Sequence, residues 1–197
     1  MNLVRAGAML AMAGLAAAPL SAHDSATLAG GFLAGFSHPL NGPDHLLAMV
    51  AVGLWGAILR RPLIVLLPVV FPSVMALGAL LAMAGVALPP VELGIAFSVL
   101  ALGLAIALRF SAPVSLASTI VAVFAIFHGY AHGREIPSLA DPIAYSTGFM
   151  VATGGLHIAG IGLGLLDHRR LGRIAIRSIG GGIALAGVYF LARAITG

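Results

Sequence analysis

Residues 28–59 read LAGGFLAGFSHPLNGPDHLLAMVAVGLWGAIL, and how this stretch divides decides the architecture. It is apolar enough to enter a membrane. As one straight helix, at about 1.5 Å per residue, it would reach roughly 48 Å against a hydrocarbon core of about 30 Å. The segment His38-Pro39-Leu40-Asn41-Gly42-Pro43-Asp44-His45 relieves the mismatch. Proline cannot continue a helical hydrogen-bond ladder, so the break at Pro39–Pro43 predicts two arms that make one net crossing. Asn41 or Gly42 can cap the second arm, with Pro43 in its first turn. The same break gathers two imidazoles and a carboxylate. Ionisable groups are costly in hydrocarbon, and unwound backbone is tolerated there mainly where it lines a cavity. These side chains are metal ligands, so His38, Asp44 and His45 are expected at the mouth of a divalent-metal site.

The rest of the chain agrees with a membrane setting. Its 197 residues are 60% hydrophobic and 8% charged, with mean hydropathy +1.10. Soluble domains carry about 25% charged residues, which excludes a water-soluble fold. The expected fold class is all-α, a polytopic membrane protein with six transmembrane helices at 28–59, 62–84, 91–109, 113–131, 142–166 and 174–195. Residues 1–22 have the form of a signal peptide: Arg5, an apolar core from Ala6 to Ala18, and Pro19-Leu20-Ser21-Ala22 as a cleavage site. The expected domains are that signal at 1–22 and one transmembrane permease domain at 23–197. Cleavage after Ala22 would leave His23 as an N-terminal residue whose α-amine and imidazole can chelate metal together.

The positive charge comes from ten arginines and no lysine, placed in short connections between apolar runs. With 28–59 as one crossing, Arg60, Arg61, Arg109, Arg169, Arg170 and Arg173 fall on the cytoplasmic side, and Arg134 and Arg193 outside. This satisfies the positive-inside rule, explains the charge without nucleic acid, and sets the mature N-terminus in the periplasm of an inner-membrane protein. There is no cysteine, which excludes disulfides, thiolate nucleophiles, iron–sulfur clusters and thiolate zinc sites. A bound metal must use nitrogen, oxygen or thioether donors, which suit nickel, cobalt, zinc or manganese better than Cu(I).

A second polar constellation, Phe127-His128-Gly129-Tyr130-Ala131-His132-Gly133-Arg134-Glu135, closes the fourth span. On a helix His128 and His132 are i,i+4 neighbours and Glu135 continues their stripe, so one ion can meet two imidazoles and a carboxylate. Gly133 and Pro137 are expected to end that helix. The assigned orientation puts both constellations in the outer half of the membrane. Glu92 opens the third span on the same side, where position alone suggests a solvated carboxylate. Met75 and Met49 offer thioethers or fill the core. His157, beside Thr153, is a second binding station, a proton acceptor or a partner of a neighbouring helix. Asp167 and His168 sit in an arginine-rich loop and are expected to be solvated. Gly31 with Gly35, and Gly160 with Gly164, have the spacing of close helix contacts.

The first motif, H-x5-D-H, and the second, F-H-G-x-x-H-G-x-E, resemble those of the HupE/UreJ family of nickel/cobalt permeases. Phe71-Pro72-Ser73-Val74-Met75 is similar to that family's F-P-x-x-M stretch, and Glu92 falls early in the third span as it does there. The resemblance spans essentially the whole mature chain. It implies nickel supply, or cobalt uptake, for hydrogenase or urease maturation, with those enzymes' accessory proteins as partners. It also raises His38, Asp44, Glu92, His132 and Glu135 above the other candidates, with Phe71 supporting the path.

The residues themselves suggest how such a permease works. A hydrated divalent cation exchanges water for imidazole and carboxylate, Asp44 and Glu135 offset its charge, and histidines select against the oxygen-preferring Mg²⁺ and Ca²⁺. No phosphate-binding loop is present, so facilitated diffusion is the expected scheme, with nickel or cobalt as cargo and no prosthetic group. Two other readings use the same residues. One is an intramembrane metal-dependent hydrolase built on three histidines and an acidic base. The other is a metal sensor or accessory membrane subunit that does not transport.

Overall fold

The computed structural model describes residues 25–135 and 141–196, with side chains from 30 to 134 and from 141 to 196. The signal-peptide reading of residues 1–22, and His23, lie outside the described residues. The described chain is helical: α1 (Ser25–Asn41), α2 (Pro43–Leu59), α3 (Leu63–Met83), α4 (Val91–Ala107), α5 (Val114–Glu135), α6 (Pro142–Gly164) and α7 (Arg170–Thr196). A single 3-10 turn, Leu165–His168, joins α6 to α7.

The expected break in the first span is present and narrower than the sequence suggested. Helix α1 continues through Pro39, and Gly42 alone stands between the arms, with φ −92° and ψ 103°. Pro43 fills the first helical position of α2, where its missing N–H costs nothing. The arms meet at 82°. Helices α3, α5, α6 with its 3-10 extension, and α7 are each long and apolar enough to cross a membrane, and the bent α1–α2 pair passes the same test jointly. Helix α4, at 17 residues, is apolar but shorter. Among the described residues there are thus, by length and composition, four spans, or five with the bent pair, where the sequence suggested six.

Glycines set the helix contacts. A side chain on Gly35 would run into the Tyr145 carbonyl, one on Gly148 into Phe32, one on Gly53 into the His157 carbonyl, and one on Gly160 into Val50. Helix α1 therefore lies on the first half of α6 and α2 on its second half, so the two arms run the same way along one helix. On α5, Gly129 abuts the Met75 backbone and Gly133 that of Ala79. The sequence expectation that Gly133 ends the helix is corrected: α5 continues to Glu135, and Gly133 lets α3 approach. Helix α4 packs on α7 through Gly103, Gly180 and Gly187. Small residues at these contacts are what membrane helices use, because lipid gives no hydrophobic drive for side chains to associate.

Trp55, Phe71, Met49, Leu67, Leu102 and Ile106 fill the centre. At one end of the bundle Arg109 grips Asp167 through two hydrogen bonds of 2.7 and 2.8 Å. Asp167 is therefore buried and paired rather than solvated, a correction to the loop reading; His168 is exposed. Arg60 and Arg61 line a cavity with Asp167 and His168 at that end, while Arg193 lines one with Asp44 and Glu92 at the other. Arg60, Arg61 and Arg109 thus lie at the opposite end from Arg193, as the sequence reading separates them.

Candidate metal centre

The bend delivers the first polar group. His38 sits in the last turn of α1, and Asp44 and His45 in the first turn of α2, where a carboxylate is favoured by the helix dipole. From α5, His128 and His132 project into the angle between the arms. Ring centroids of His38 and His132 lie 4.9 Å apart, those of His132 and His45 4.5 Å, and those of His45 and His128 4.8 Å. Four imidazoles from three helices therefore follow one another in edge-on and tilted contacts as one column, His38–His132–His45–His128. His128 is fully buried and His132 nearly so. At the open end, His38, Asn41, Asp44, His45 and Glu92 line a cavity of about 410 Å³.

Two of these imidazoles have an assignable tautomer. The Asp44 carboxylate can only accept at neutral pH, so the 2.9 Å contact to His45 Nδ1 places the proton on Nδ1. His45 Nε2 keeps its lone pair, is buried, and has no hydrogen-bond partner. At His128 the Ser98 hydroxyl donates to the Ile95 carbonyl at 2.6 Å. Having spent its one proton, it accepts from His128 Nε2–H at 2.9 Å. His128 Nδ1 is then the atom with the lone pair, and it too is buried without a partner. A histidine that gives one N–H to an oxygen and leaves its other nitrogen open is the arrangement that orients imidazole toward a metal.

Aromatic rings wall the column. Phe149 lies 4.4 Å from His132, and Tyr145 and Phe149 lie about 6 Å from His38. Phe71 of α3 touches His128 at 5.4 Å and His157 of α6 at 5.5 Å. His157 itself is deep, 1% exposed, with no hydrogen-bond partner on either nitrogen. Met75 is buried and lines a small apolar cavity of about 140 Å³ with His132, Tyr145 and Phe149. Met49 is a core residue.

His38, Asp44, His45, His128 and His132 thus come together, Glu92 joins them at the exposed rim, and His157 stands apart behind Phe71. The Glu135 side chain and His23 lie outside the described residues. Among the described residues no three His, Asp or Glu side chains converge tightly enough to hold one ion. The imidazoles follow one another in neighbouring pairs, His38–His132, His132–His45 and His45–His128. Sequence reasoning missed Ser98, Tyr145 and Phe149. Ser98 carried a signal: apart from Glu92, it is the one side chain in α4 with a hydrogen-bonding group.

The fold and this column define a polytopic helical membrane protein with a histidine-lined polar entrance between its helices. The family model described as HupE / UreJ protein matches residues 8–190. Protein HupE of Rhizobium leguminosarum bv. viciae is 42% identical over 184 residues, which cover 93% of this chain and 94% of that protein. The chain belongs to the HupE/UreJ family. No solved structure matches it.

Proposed function

We propose that this protein is an inner-membrane permease that admits a divalent transition metal, nickel first and cobalt as the alternative cargo, for maturation of a hydrogenase or urease. One observation carries the reading: two polar segments far apart in the sequence meet as a column of imidazoles, in which His45 Nε2 and His128 Nδ1 are buried and open. The ion enters at the Asp44–Glu92 rim, exchanges waters for imidazole, and passes from one pair of donors to the next. Donors in line support passage over fixed catalysis. A hydrolase holds its metal with three protein ligands and one open position, whereas a pathway needs sites weak enough to release the ion.

The driving force needs no nucleotide. A divalent cation entering a negative interior gains about 4.6 kcal/mol at 100 mV, twice the roughly 2.3 kcal/mol per charge. The test is uptake of labelled nickel by proteoliposomes, comparing wild type with His38→Ala, Asp44→Ala and Glu135→Ala. Each substitution is expected to lower uptake at least tenfold. Equal uptake by all three would overturn the entrance.

A further inference from the structure

We propose that Thr153 and His157 form an inner metal station, separate from the outer histidine column, and that the Phe71 ring is the partition between them. The inference rests on the permease reading and adds a second site and a gate to it.

Three observations support it. First, His157 and Thr153 are 1% and 0% exposed, and His157 Nδ1, His157 Nε2 and Thr153 Oγ1 all lack hydrogen-bond partners. A buried polar group left without a hydrogen bond is costly, so these atoms call for a partner. These two residues are i,i+4 neighbours on α6, so their donors share one face. Second, the pair is deeper than the column. The His157 carbonyl packs on Gly53, which lies eight residues past His45 on α2, about 12 Å further along at 1.5 Å per residue. Third, Phe71 is fully buried and in ring contact with both His128, the innermost member of the column, and His157. Its ring bridges the two imidazoles.

Helix α3 is built to let that ring move. Pro68 and Pro72 lie inside the helix, on either side of Phe71. Neither supplies an N–H, so two rungs of the ladder are missing around the aromatic residue. A ring held by a loosened backbone can swing aside as an ion passes and then close behind it. Its π-face also attracts a partly dehydrated cation during that step.

The chain has no cysteine, so Thr153→Cys introduces a unique thiol into the full-length protein. Reconstituted in liposomes, it is exposed to a membrane-impermeant methanethiosulfonate. With Phe71 intact, modification is expected to be slow; adding Phe71→Ala should accelerate it at least tenfold. In that opened background Ni²⁺ should slow modification at least tenfold, and His157→Gln should abolish the protection. Equal rates with and without the Phe71 ring would overturn the partition. Protection that survives His157→Gln would overturn the station. Gel-filtration profiles matching wild type establish that each variant is folded. Neither readout requires uptake. If both hold while wild type fails to accumulate nickel, it is the permease reading that fails. If wild type accumulates nickel and His157→Gln does so equally fast, the inner station falls and the permease stands.

Discussion

At Ser98 a single hydroxyl proton settles the chemistry of a histidine thirty residues away. Given to the Ile95 carbonyl, it obliges His128 to donate from Nε2 and to present Nδ1 to the column. Removing that oxygen frees the imidazole to turn or to change tautomer. Ser98→Ala is therefore expected to reduce nickel uptake about 10–100-fold, the usual cost of losing a residue that orients a ligand. Stability should fall by about 1–3 kcal/mol, because the buried His128 Nε2 loses its hydrogen-bond partner. Uptake at wild-type rate would show that His128 does not bind the ion through Nδ1. The Asp44–His45 contact works in the same way from the other side of the column. The two tautomers were not legible in the sequence, because each depends on which oxygen a ring meets across a helix interface. The residues that meet in the column were legible, since His, Asp and Glu are rare enough in this chain to stand out from an apolar background.

Helices are the scale at which glycine has its effect. Gly129 sits between the two α5 histidines and faces the Met75 carbonyl, where a methyl group has no room. Gly129→Ala should push α3 and α5 apart, destabilise the protein by about 1–3 kcal/mol as overpacking does, and spread the imidazoles that flank it. Gly154→Ala is the control, since a methyl group there would meet nothing within 4 Å. Its stability should stay level or rise by a few tenths of a kcal/mol, the helix propensity gained being up to about 1 kcal/mol. Thermal unfolding in detergent checks both, and equal behaviour of the pair would remove the close-packing account. Spacing correctly flagged Gly31 with Gly35 and Gly160 with Gly164 as contact positions. It misassigned Gly133, because a glycine near a helix end looks the same in sequence whether it caps the helix or admits a neighbour. Asp167 was misread for a similar reason: its partner Arg109 is remote in sequence, so a loop carboxylate gave no sign of being buried. Helices apolar on every side also conceal which face is inward, and the aromatic wall of Tyr145 and Phe149 could not be read from them.

Across the whole molecule, Arg60, Arg61 and Arg109 lie at one end and the histidine entrance opens at the other, beside Arg193. The sequence already implied this, because counting crossings fixes which end of a helix each motif occupies, and the count from α1–α2 to α5 puts both motifs on one side. What counting could not supply is α4's shortness or the angle at Gly42. The entrance also sets the expected response to acid. Imidazole binds metal only when neutral, so acidifying the entrance side, at constant free metal, sets protons in competition with the ion for imidazole lone pairs. Uptake should be greatest at mildly alkaline outer pH and fall several-fold toward mildly acidic pH. A flat profile in reconstituted vesicles would count against histidine ligation.

The corner at Gly42 also works as a lever. Helix α1 has 17 residues, about 25 Å at 1.5 Å per residue, so a rotation of about 5° at the corner carries its far tip roughly 2 Å. His38 stands only one turn from the pivot and travels about 0.5 Å in the same rotation. A displacement of the tip would thus reach that imidazole reduced about fourfold, through two backbone torsions and without unwinding either arm.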